Sequence, residues 1–232
     1  MSETIAIILA RGGSKGIPKK NIIKFCGKPL IVWSIEQAVK TKGISSVWVS
    51  SDDKKILKIS KDAGANIIIR PKNLSKDSST SVSGWIHAIN KIQEKNHVIK
   101  NVVALQATSP VRESRDIERG LKEYNIKKFD SMFSGAQIGD FLIWQRENKN
   151  KLKSINYNFK NRQRRQKINE QFVENGSFYI FTPESIEKFN NQLGGKIGIV
   201  KMEFWKSFEI DDYEDIEFCE LLMKHYLLKK KH

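Results

Sequence analysis

The residues best suited to chemistry lie together in one loop, residues 10–21, directly after an apolar segment. Gly12 and Gly13 are adjacent, so the backbone there can turn tightly and present its N–H groups to a ligand. The loop also carries four cations, Arg11, Lys15, Lys19 and Lys20. Cations and backbone N–H groups together can surround a triphosphate. A basic surface turn has the same composition, so the loop alone leaves both interpretations open.

The spacing within this loop argues against the two common phosphate-binding motifs. It has neither the G-x-x-x-x-G-K-[ST] pattern of a P-loop nor the G-x-G-x-x-G pattern of dinucleotide-binding enzymes. An ATPase, a kinase and an NAD-dependent enzyme are therefore disfavoured.

The charge of the whole chain limits the classes of partner. Its 232 residues include 41 Lys plus Arg and 26 Asp plus Glu, which leaves a formal net charge of +15. Such an excess suits a nucleic-acid-binding protein or an enzyme of polyanionic small molecules. The sequence contains no run of about 18 apolar residues, so it predicts no membrane-spanning helix. The two cysteines, Cys26 and Cys219, form neither a disulfide framework nor a metal motif, so we expect a reducing, cytoplasmic location.

The elements that must position the loop alternate between strands and helices. Apolar runs predict strands at 5–9, 47–50, 66–70, 101–105 and 131–136, with further strands at 177–181 and 197–202 and an amphipathic helix at 212–228. This alternation predicts a mostly parallel α/β sheet flanked by helices. Ligands bind beyond the carboxyl ends of such strands, so loops 10–20, 51–53, 71–80 and 106–112 should meet at one edge.

The segment from about 145 to 170 breaks this pattern. It has no clear period and holds nine Lys or Arg against Glu147 and Glu170. Because no linker composition appears elsewhere, we interpret residues 1–232 as a single domain with this basic arm inserted into it.

The loop resembles the signature A-R-x-x-S-K-G-[IL]-x-x-K-N of the CMP-sialic acid synthetases (acylneuraminate cytidylyltransferases). Its matching residues are Ala10, Arg11, Ser14, Lys15, Gly16, Ile17, Lys20 and Asn21. Four later segments are similar to the family in the same order: Arg70-Pro71 with Leu74 and Asp77, the stretch 105–112, Arg164-Arg165-Gln166 with Asn175-Gly176 and Tyr179, and Glu209-Ile210-Asp211. The likeness therefore covers nearly the full length.

The resemblance implies a Rossmann-like fold of the nucleotide-diphospho-sugar transferase type with a dimerisation arm, and hence a homodimer. It also implies that CTP and a nine-carbon nonulosonic acid give CMP-sugar and pyrophosphate, the anomeric hydroxyl attacking the α-phosphate. Such transfer depends mainly on positioning and charge neutralisation. The implied cofactor is Mg²⁺ or Mn²⁺, and the implied partners include no nucleic acid and no membrane.

On this basis three cations are expected to hold and neutralise the phosphates as catalytic residues: Arg11, Lys15 and Lys20. The expected nucleotide site also contains Ala10, Gly12, Gly13, Ser14, Asn21, Arg70 and Gln106. Gln106 would pair with the cytosine edge and border the sugar, although a buried amide bonded to a loop backbone is the alternative. Lys19 occupies a variable position and is expected to be solvated, and Asp77 could cap the following helix.

The sugar carboxylate needs a planar, bidentate cation, for which we predict Arg165. Its expected companions in sugar binding are Gln166, Asn175 and Tyr179. Asp211 is the predicted metal ligand and Glu209 a second candidate, although the family more often has Asp at that second position. Asp212 and Asp215 compete for the metal, with helix capping as their alternative role.

Two other functions remain open at this point. One is a different nucleotidyltransferase of the same fold that uses another sugar acid or a sugar phosphate. The other is a nucleic-acid-binding protein acting through the basic arm, which is disfavoured because Tyr157 and Phe159 are the arm's only aromatic residues. The nonulosonic acid itself is undetermined, although Gly16 is more similar to sialic and legionaminic acid enzymes than to pseudaminic acid enzymes.

Overall fold

The computed structural model describes residues 2–14, 16–139, 141–167 and 169–229, without the side chain of Arg165. Lys15, predicted to hold a phosphate, lies outside these residues. The strands are β1 (Glu3–Leu9), β2 (Lys24–Phe25), β3 (Lys28–Pro29), β4 (Ser46–Ser51), β5 (Asn66–Ile69), β6 (Ile99–Gln106), β7 (Ser131–Gln137), β8 (Trp144–Asn148), β9 (Lys151–Ser154), β10 (Phe172–Phe181) and β11 (Ile197–Met202). The α-helices are α1 (Leu30–Val39), α2 (Lys54–Asp62), α3 (Ser81–Gln93), α4 (Ser114–Lys127), α5 (Pro183–Phe189) and α6 (Tyr213–Leu222).

Seven strands form the central sheet in the order β11-β7-β10-β6-β1-β4-β5. Strand β10 is antiparallel to β6 and β7, and the other four pairings are parallel. All seven predicted strands of the sheet are present, so the prediction of a mostly parallel sheet is confirmed. The carboxyl ends of β1, β4, β5 and β6 consequently share one edge.

The central strand β1 is buried on both faces, which explains its unbroken apolar run. Ala6 and Ile8 belong to a core with α1, α2 and α4, whereas Ile5 and Ile7 belong to a core with α3 and α5. Successive side chains of a strand point to opposite faces, so each face of β1 contacts its own layer of helices. This sandwich holds the carboxyl end of β1 rigidly at the sheet edge.

The C-terminal segment packs over the loop that follows β1. Ile210, Cys219 and Leu222 lie in a third apolar cluster with Ile17 and Phe25. The predicted helix 212–228 is observed as α6 followed by one π-helical turn, Met223–Leu227. This packing brings the segment around Asp211 next to a loop nearly 200 residues earlier in the chain.

Strands β8 and β9 form a separate two-stranded sheet in the segment for which we predicted no regular structure. All five residues of β8 are exposed, so their side chains carry no period-two signal of burial. Helix α5 was also missed, although Pro183 at its start and the capping box of Thr182 and Ser185 are sequence signals for one. Among the described residues, no helix combines the length and apolarity needed to cross a membrane.

Candidate active site

A pocket of about 430 Å³ opens at the carboxyl end of β1 and β6. Its walls come from the loop after β1, the segment 70–81, the residues 106–108 and Asp211. Seven of the predicted site residues line it: Arg11, Ser14, Lys20, Asn21, Arg70, Gln106 and Asp211. The fold therefore brings together residues separated by up to 200 positions, as expected for the edge of a parallel sheet.

Two cations of the loop face carboxylates across this pocket. Arg11 Nη1 lies 2.7 Å from Asp77 Oδ1, and Lys20 Nζ lies 2.8 Å from Asp211 Oδ1. Lys20 Nζ also donates to the Ile210 carbonyl at 2.9 Å. These pairs place charged donors around the space that a polyanion would fill.

Asp77 does not cap the helix that follows it. Thr80 is the N-cap of α3 and accepts the backbone N–H of Ser83 at 3.2 Å. The expectation that Asp77 caps this helix was therefore wrong, because Asp77 precedes the helix by four residues and its carboxylate pairs with Arg11.

Gly12 and Gly13 do not line the pocket, and Gly12 faces the β4–α2 turn. The Gly12 N–H donates to Asp52 Oδ1 at 2.9 Å, and a Cβ on Gly12 would lie 2.8 Å from the Cβ of Asp53. This amide is therefore engaged with a carboxylate, which corrects the expectation that it faces a phosphate. Ala10 is also buried away from the pocket, with its N–H bonded to the Ser50 carbonyl at 3.0 Å.

Arg70 supplies a third cation, and it is almost fully buried, with 6% of its surface exposed. Its Nε donates to Ser75 Oγ at 3.0 Å. Burial lowers the pKa of the Arg70 guanidinium, the nearby Arg11 lowers it further, and Asp52 partly offsets both. A desolvated cation at the wall of an open pocket attracts an anion more strongly than a solvated one does.

Of the two predicted metal ligands, Asp211 lines the pocket and Glu209 does not. Asp211 is largely exposed, and burial together with the Asp211 charge raises the pKa of Glu209. The backbone of Asp211 contacts the first loop so closely that a Cβ on Gly16 would lie 2.6 Å from the Asp211 carbonyl oxygen. The described residues hold no cluster of three or more His, Cys, Asp or Glu that could chelate a metal.

The neighbouring carboxylates have a structural role. Asp212 and Asp215 form the capping box of α6, in which Asp212 Oδ1 accepts the Glu214 and Asp215 N–H groups at 3.0 and 3.2 Å. Asp215 Oδ2 accepts the N–H groups of both Asp211 and Asp212. Their alternative role of helix capping is thus confirmed, and Asp211 is the aspartate of this segment that lines the pocket.

Two predicted sugar residues lie on β10, away from the pocket of the same chain. Asn175 is 5% exposed, and its Oδ1 accepts from Ser134 Oγ at 2.6 Å and from the Ser177 N–H at 3.1 Å. Tyr179 packs against Trp85 and donates its hydroxyl to Glu174. An interruption in the β10–β7 register, where Gly176 has a φ of 62°, accompanies the burial of the Asn175 side chain.

The arm carries the other predicted sugar residues. Gln166 is exposed within the short turn Arg165–Lys167, which is also outside the lining of the pocket. The side chain of Arg165 lies outside the described part of the structure.

Sequence reasoning assigned no role to Arg112, which the structure places outside the pocket lining, at the end of β6. Its side chain is 1% exposed and donates to the Gln106 carbonyl at 3.1 Å and to the Ser109 carbonyl at 2.8 Å. Arg112 is the last residue of the stretch 105–112 that resembles the family, and this resemblance marked the position without giving it a role. Its partners on other elements had no signal in the sequence.

A parallel sheet with a cation-lined pocket at its strand ends is the arrangement of an α/β nucleotide-binding enzyme. The chain belongs to the cytidylyltransferase family, whose profile matches residues 5–232. This membership confirms the resemblance described above.

Two similar proteins are named for different sugar acids. The chain is 38% identical to an N-acylneuraminate cytidylyltransferase of Oncorhynchus mykiss over 89% of its own length. It spans about half of that relative, 47%. It is 31% identical to a pseudaminic acid cytidylyltransferase of Campylobacter jejuni subsp. jejuni, with 96% of this chain and 97% of the relative covered.

Solved structures share the fold at low identity. A CMP:2-keto-3-deoxy-manno-octonic acid synthetase complexed with CTP superposes with a TM-score of 0.72 at 17% identity, covering 97% of this chain and all of the other. A 4-diphosphocytidyl-2C-methyl-D-erythritol synthase superposes with a TM-score of 0.68 at 10% identity, covering 96% of this chain and all of the other. These likenesses confirm the predicted fold class.

Proposed function

We propose that this protein transfers CMP from CTP to a nonulosonic acid and releases pyrophosphate. The observation that carries the proposal is the meeting of Arg11, Lys20, Arg70 and Asp211 around one pocket in a chain of the cytidylyltransferase family. Its relatives are named for N-acylneuraminate and for pseudaminic acid, both of which are nonulosonic acids.

The reaction forms one bond and breaks another at the α-phosphorus of CTP. The anomeric oxygen of the sugar bonds to this phosphorus, and the hydroxyl proton leaves. The bond from the α-phosphorus to the bridging oxygen breaks, and pyrophosphate takes the electron pair. Charge therefore moves onto the leaving oxygens, where fixed cations lower the barrier most.

The cations of the pocket are placed for this task. Arg11 and Lys20 are paired with single carboxylates, and a triphosphate offers each of them a more highly charged partner. Arg70 is held by its burial and by Ser75, so it provides a cation with little freedom to reorganise. We assign the binding and neutralisation of the phosphates to these three residues and to Lys15.

The acidic pair fits a divalent cation that also binds phosphate oxygens. Mg²⁺ usually takes only one or two carboxylates from a protein and completes its shell with water and substrate oxygens. Burial first, and the Asp211 charge second, raise the pKa of Glu209, and a bound cation would offset both effects. Asp211 and Glu209 would hold Mg²⁺ or Mn²⁺, which would supply charge neutralisation for the phosphates.

The sugar-binding residues lead to a proposal about assembly. Gln166 lies outside the pocket of its own chain, on an arm whose exposed apolar side chains include Leu152 and Phe159. An apolar surface of this kind favours association. We propose a homodimer in which the arm packs on the second copy. Arg165 would then lie near an active site. Gln166, Asn175 and Tyr179 would bind the sugar or support the residues that bind it.

We also propose that the protein acts in the cytoplasm. Cys26 and Cys219 are both free thiols in the structure, which suits a reducing compartment, where CTP is also available.

The deciding experiment is pyrophosphate release in the presence of CTP, Mg²⁺ and a panel of acids. The panel contains N-acetylneuraminic, legionaminic, pseudaminic and deaminated nonulosonic acids, with the eight-carbon acid KDO and a sugar phosphate as comparisons. We expect turnover with at least one nonulosonic acid, and Gly16 favours the sialic or legionaminic type. Turnover only with the comparison compounds would support the alternative nucleotidyltransferase, and no turnover on any nonulosonic acid would overturn the proposal.

A further inference from the structure

The side chain of Lys206 is fully buried, and its ammonium group lies among three carboxylates. The Nζ atom lies 3.0 Å from Glu113 Oε2, 2.8 Å from Asp116 Oδ2 and 2.9 Å from Glu203 Oε2. An ammonium group has three N–H donors, so there is one carboxylate for each donor. Asp116 is as completely buried as Lys206. The proposed reaction gives this cluster no role.

The cluster joins the start of α4 to the segment 203–211. Glu113 is the N-cap of α4 and forms the capping box of this helix with Asp116. The helix packs against the central sheet in the apolar core. Through its side chain, Lys206 therefore fixes the segment 203–211 to an element that is itself held by the core.

The acidic part of this segment depends on such an anchor. Residues 207–212 belong to neither a helix nor a strand, and Asp211 among them lines the pocket. The Ile210 N–H donates to the Thr108 carbonyl at 2.8 Å, beside the end of β6. Because this stretch has no regular structure, contacts with other elements decide where Asp211 lies.

A buried ion cluster is suited to fixing a position. Burial by itself lowers the pKa of Lys206, but its hydrogen bonds to Asp116 and Glu203 outweigh burial and raise it, so the ammonium group stays charged. Replacing a buried ion pair by apolar side chains is often neutral or stabilising. A buried polar network in which each donor has an acceptor, however, specifies one arrangement of its members.

The position of a carboxylate is critical where it holds a small divalent cation. Mg²⁺ demands a near-ideal octahedral arrangement of its oxygen ligands. Residues that orient a ligand without touching the metal typically change metal affinity by about 10- to 100-fold when they are replaced. An anchor of the segment that carries Asp211 can therefore influence cation binding from outside the pocket.

We propose that Lys206 is a positioning residue for the divalent cation: anchored on α4, it holds the segment 203–211 so that Asp211 stays in place at the pocket. The inference rests on the proposed function, since it takes Asp211 to be a ligand of Mg²⁺ or Mn²⁺. It adds a residue that lies outside the pocket lining.

The test measures how strongly the cation and the nucleotide support each other's binding. Calorimetry without the sugar, so that no turnover occurs, would give the Kd of CTP for the full chain in EDTA and at a fixed Mn²⁺ concentration. The ratio of the two Kd values reports this coupling. We expect the ratio to fall about tenfold in Lys206→Met, because Asp211 is no longer held in place. A purely structural role would lower Tm and leave the ratio unchanged.

A double variant keeps the test valid if Lys206→Met does not fold. The single substitution leaves the buried Asp116 carboxylate without its ammonium partner, which is costly. Lys206→Met combined with Asp116→Asn removes both charges and keeps an acceptor oxygen at the start of α4. The double variant should show the same fall in the ratio.

Arg119→Met is the matched control. Arg119 Nη2 lies 3.2 Å from Asp116 Oδ1, and it donates to the Lys201 carbonyl at 2.7 Å. The substitution thus removes a cation from the same carboxylate and leaves the Lys206 ammonium group in place. This variant should keep the parental ratio even if its Tm falls.

The outcomes separate the two proposals. A parent protein that does not bind CTP would contradict the proposed function and this inference with it. A parent protein that binds CTP equally well with and without Mn²⁺ would overturn the inference, while pyrophosphate release still decides the proposed function. A parent protein that shows the coupling, with folded Lys206 variants that keep the full ratio, would overturn the positioning role and leave the proposed function standing.

Discussion

At the residue scale, the cations of the pocket form ion pairs that contribute little to stability. The Arg11–Asp77 pair is about half exposed, and exposed ion pairs contribute only about 0–1 kcal/mol. Exchanging such a carboxylate for a phosphate group therefore costs little and adds charge-assisted hydrogen bonds. Under the proposed function, the pairs would hold the two cations at the pocket without competing strongly with the substrate.

Replacing Arg11 by alanine should lower kcat by about 100-fold, the usual effect of removing one donor to a developing charge. Its Tm should stay close to that of the parent because the ion pair is exposed. Steady-state rates of pyrophosphate release with CTP and the accepted acid check this. Lys19→Ala, an exposed cation of the same loop, is the control and should keep its rate. A parental rate in Arg11→Ala would refute the role assigned to Arg11.

The two thiols predict how stability depends on pH. Burial raises the pKa of Cys219 to about 12 and that of Cys26 to about 11, from a reference of 9.0. Because the folded-state pKa is raised, the stabilisation is present below the unfolded pKa and is lost as pH rises above it. The free energy of unfolding should therefore decrease from pH 9 upwards.

Urea unfolding at about pH 8 and about pH 10 measures this decrease. In Cys219→Ala the decrease should be smaller by roughly 1 kcal/mol, since one group no longer titrates differently in the two states. Leu222→Ala truncates the same apolar cluster without removing a titratable group and should show the parental decrease. An unchanged decrease in Cys219→Ala would mean that this thiol does not contribute.

At the scale of elements, the start of α6 separates two adjacent aspartates by role. Asp212 caps the helix, while Asp211 precedes it and faces the pocket. The capping box orients this turn so that the Asp211 backbone contacts Gly16 of the first loop. One helix terminus thus positions both the acidic residue and the loop that carries the cations.

Substitutions of Asp211 and of Asp212 should have different effects, because the two residues have different roles. Asp211→Asn should lower kcat by orders of magnitude, about 100-fold or more, with little change in Tm. Asp212→Ala should cost about 1 kcal/mol of stability through the lost cap and keep most of the activity. Thermal unfolding and initial rates over a range of Mg²⁺ concentrations measure both effects. Full activity in Asp211→Asn would exclude it as a metal ligand.

At the scale of the whole molecule, the arm is separate from the main sheet, because its strands β8 and β9 pair with each other and with no strand of that sheet among the described residues. The ring of Trp144 lies 5.3 Å from that of Phe159 and 5.9 Å from that of Tyr157, and Leu152 is also exposed nearby. Clustered aromatic residues of this kind are typical of interface cores. We therefore propose that the arm is the surface through which the protein assembles.

Light scattering coupled to gel filtration should give twice the mass of one chain. Trp144→Asp places a charge in the aromatic cluster and should shift the protein towards the monomer with loss of turnover, because a buried unpaired charge is costly. Ile126→Asp, at an exposed apolar site on α4, should leave the mass unchanged. A parent protein of single-chain mass at working concentrations would contradict the proposed dimer.

Much of the fold could be predicted because burial leaves a period in the sequence. The sequences of strands β1 and β6 are apolar runs because both of their faces are covered. Gly43 lies shortly after α1, as expected. The hairpin β8–β9 was missed because its side chains are exposed. The capping of α3 by Thr80 was missed because several polar residues before that helix have suitable side chains.

By itself the sequence determined the class of fold and the composition of the loop that we propose binds phosphate, since strand period, glycine and charge are local properties. Only the tertiary structure decided which partner each of these residues takes. It directs the Gly12 amide to Asp52, pairs Lys20 with Asp211 and sets Arg112 behind Gln106. These contacts join positions 6 to 191 residues apart, and such pairings depend on how the sheet and helices pack, which no local pattern records.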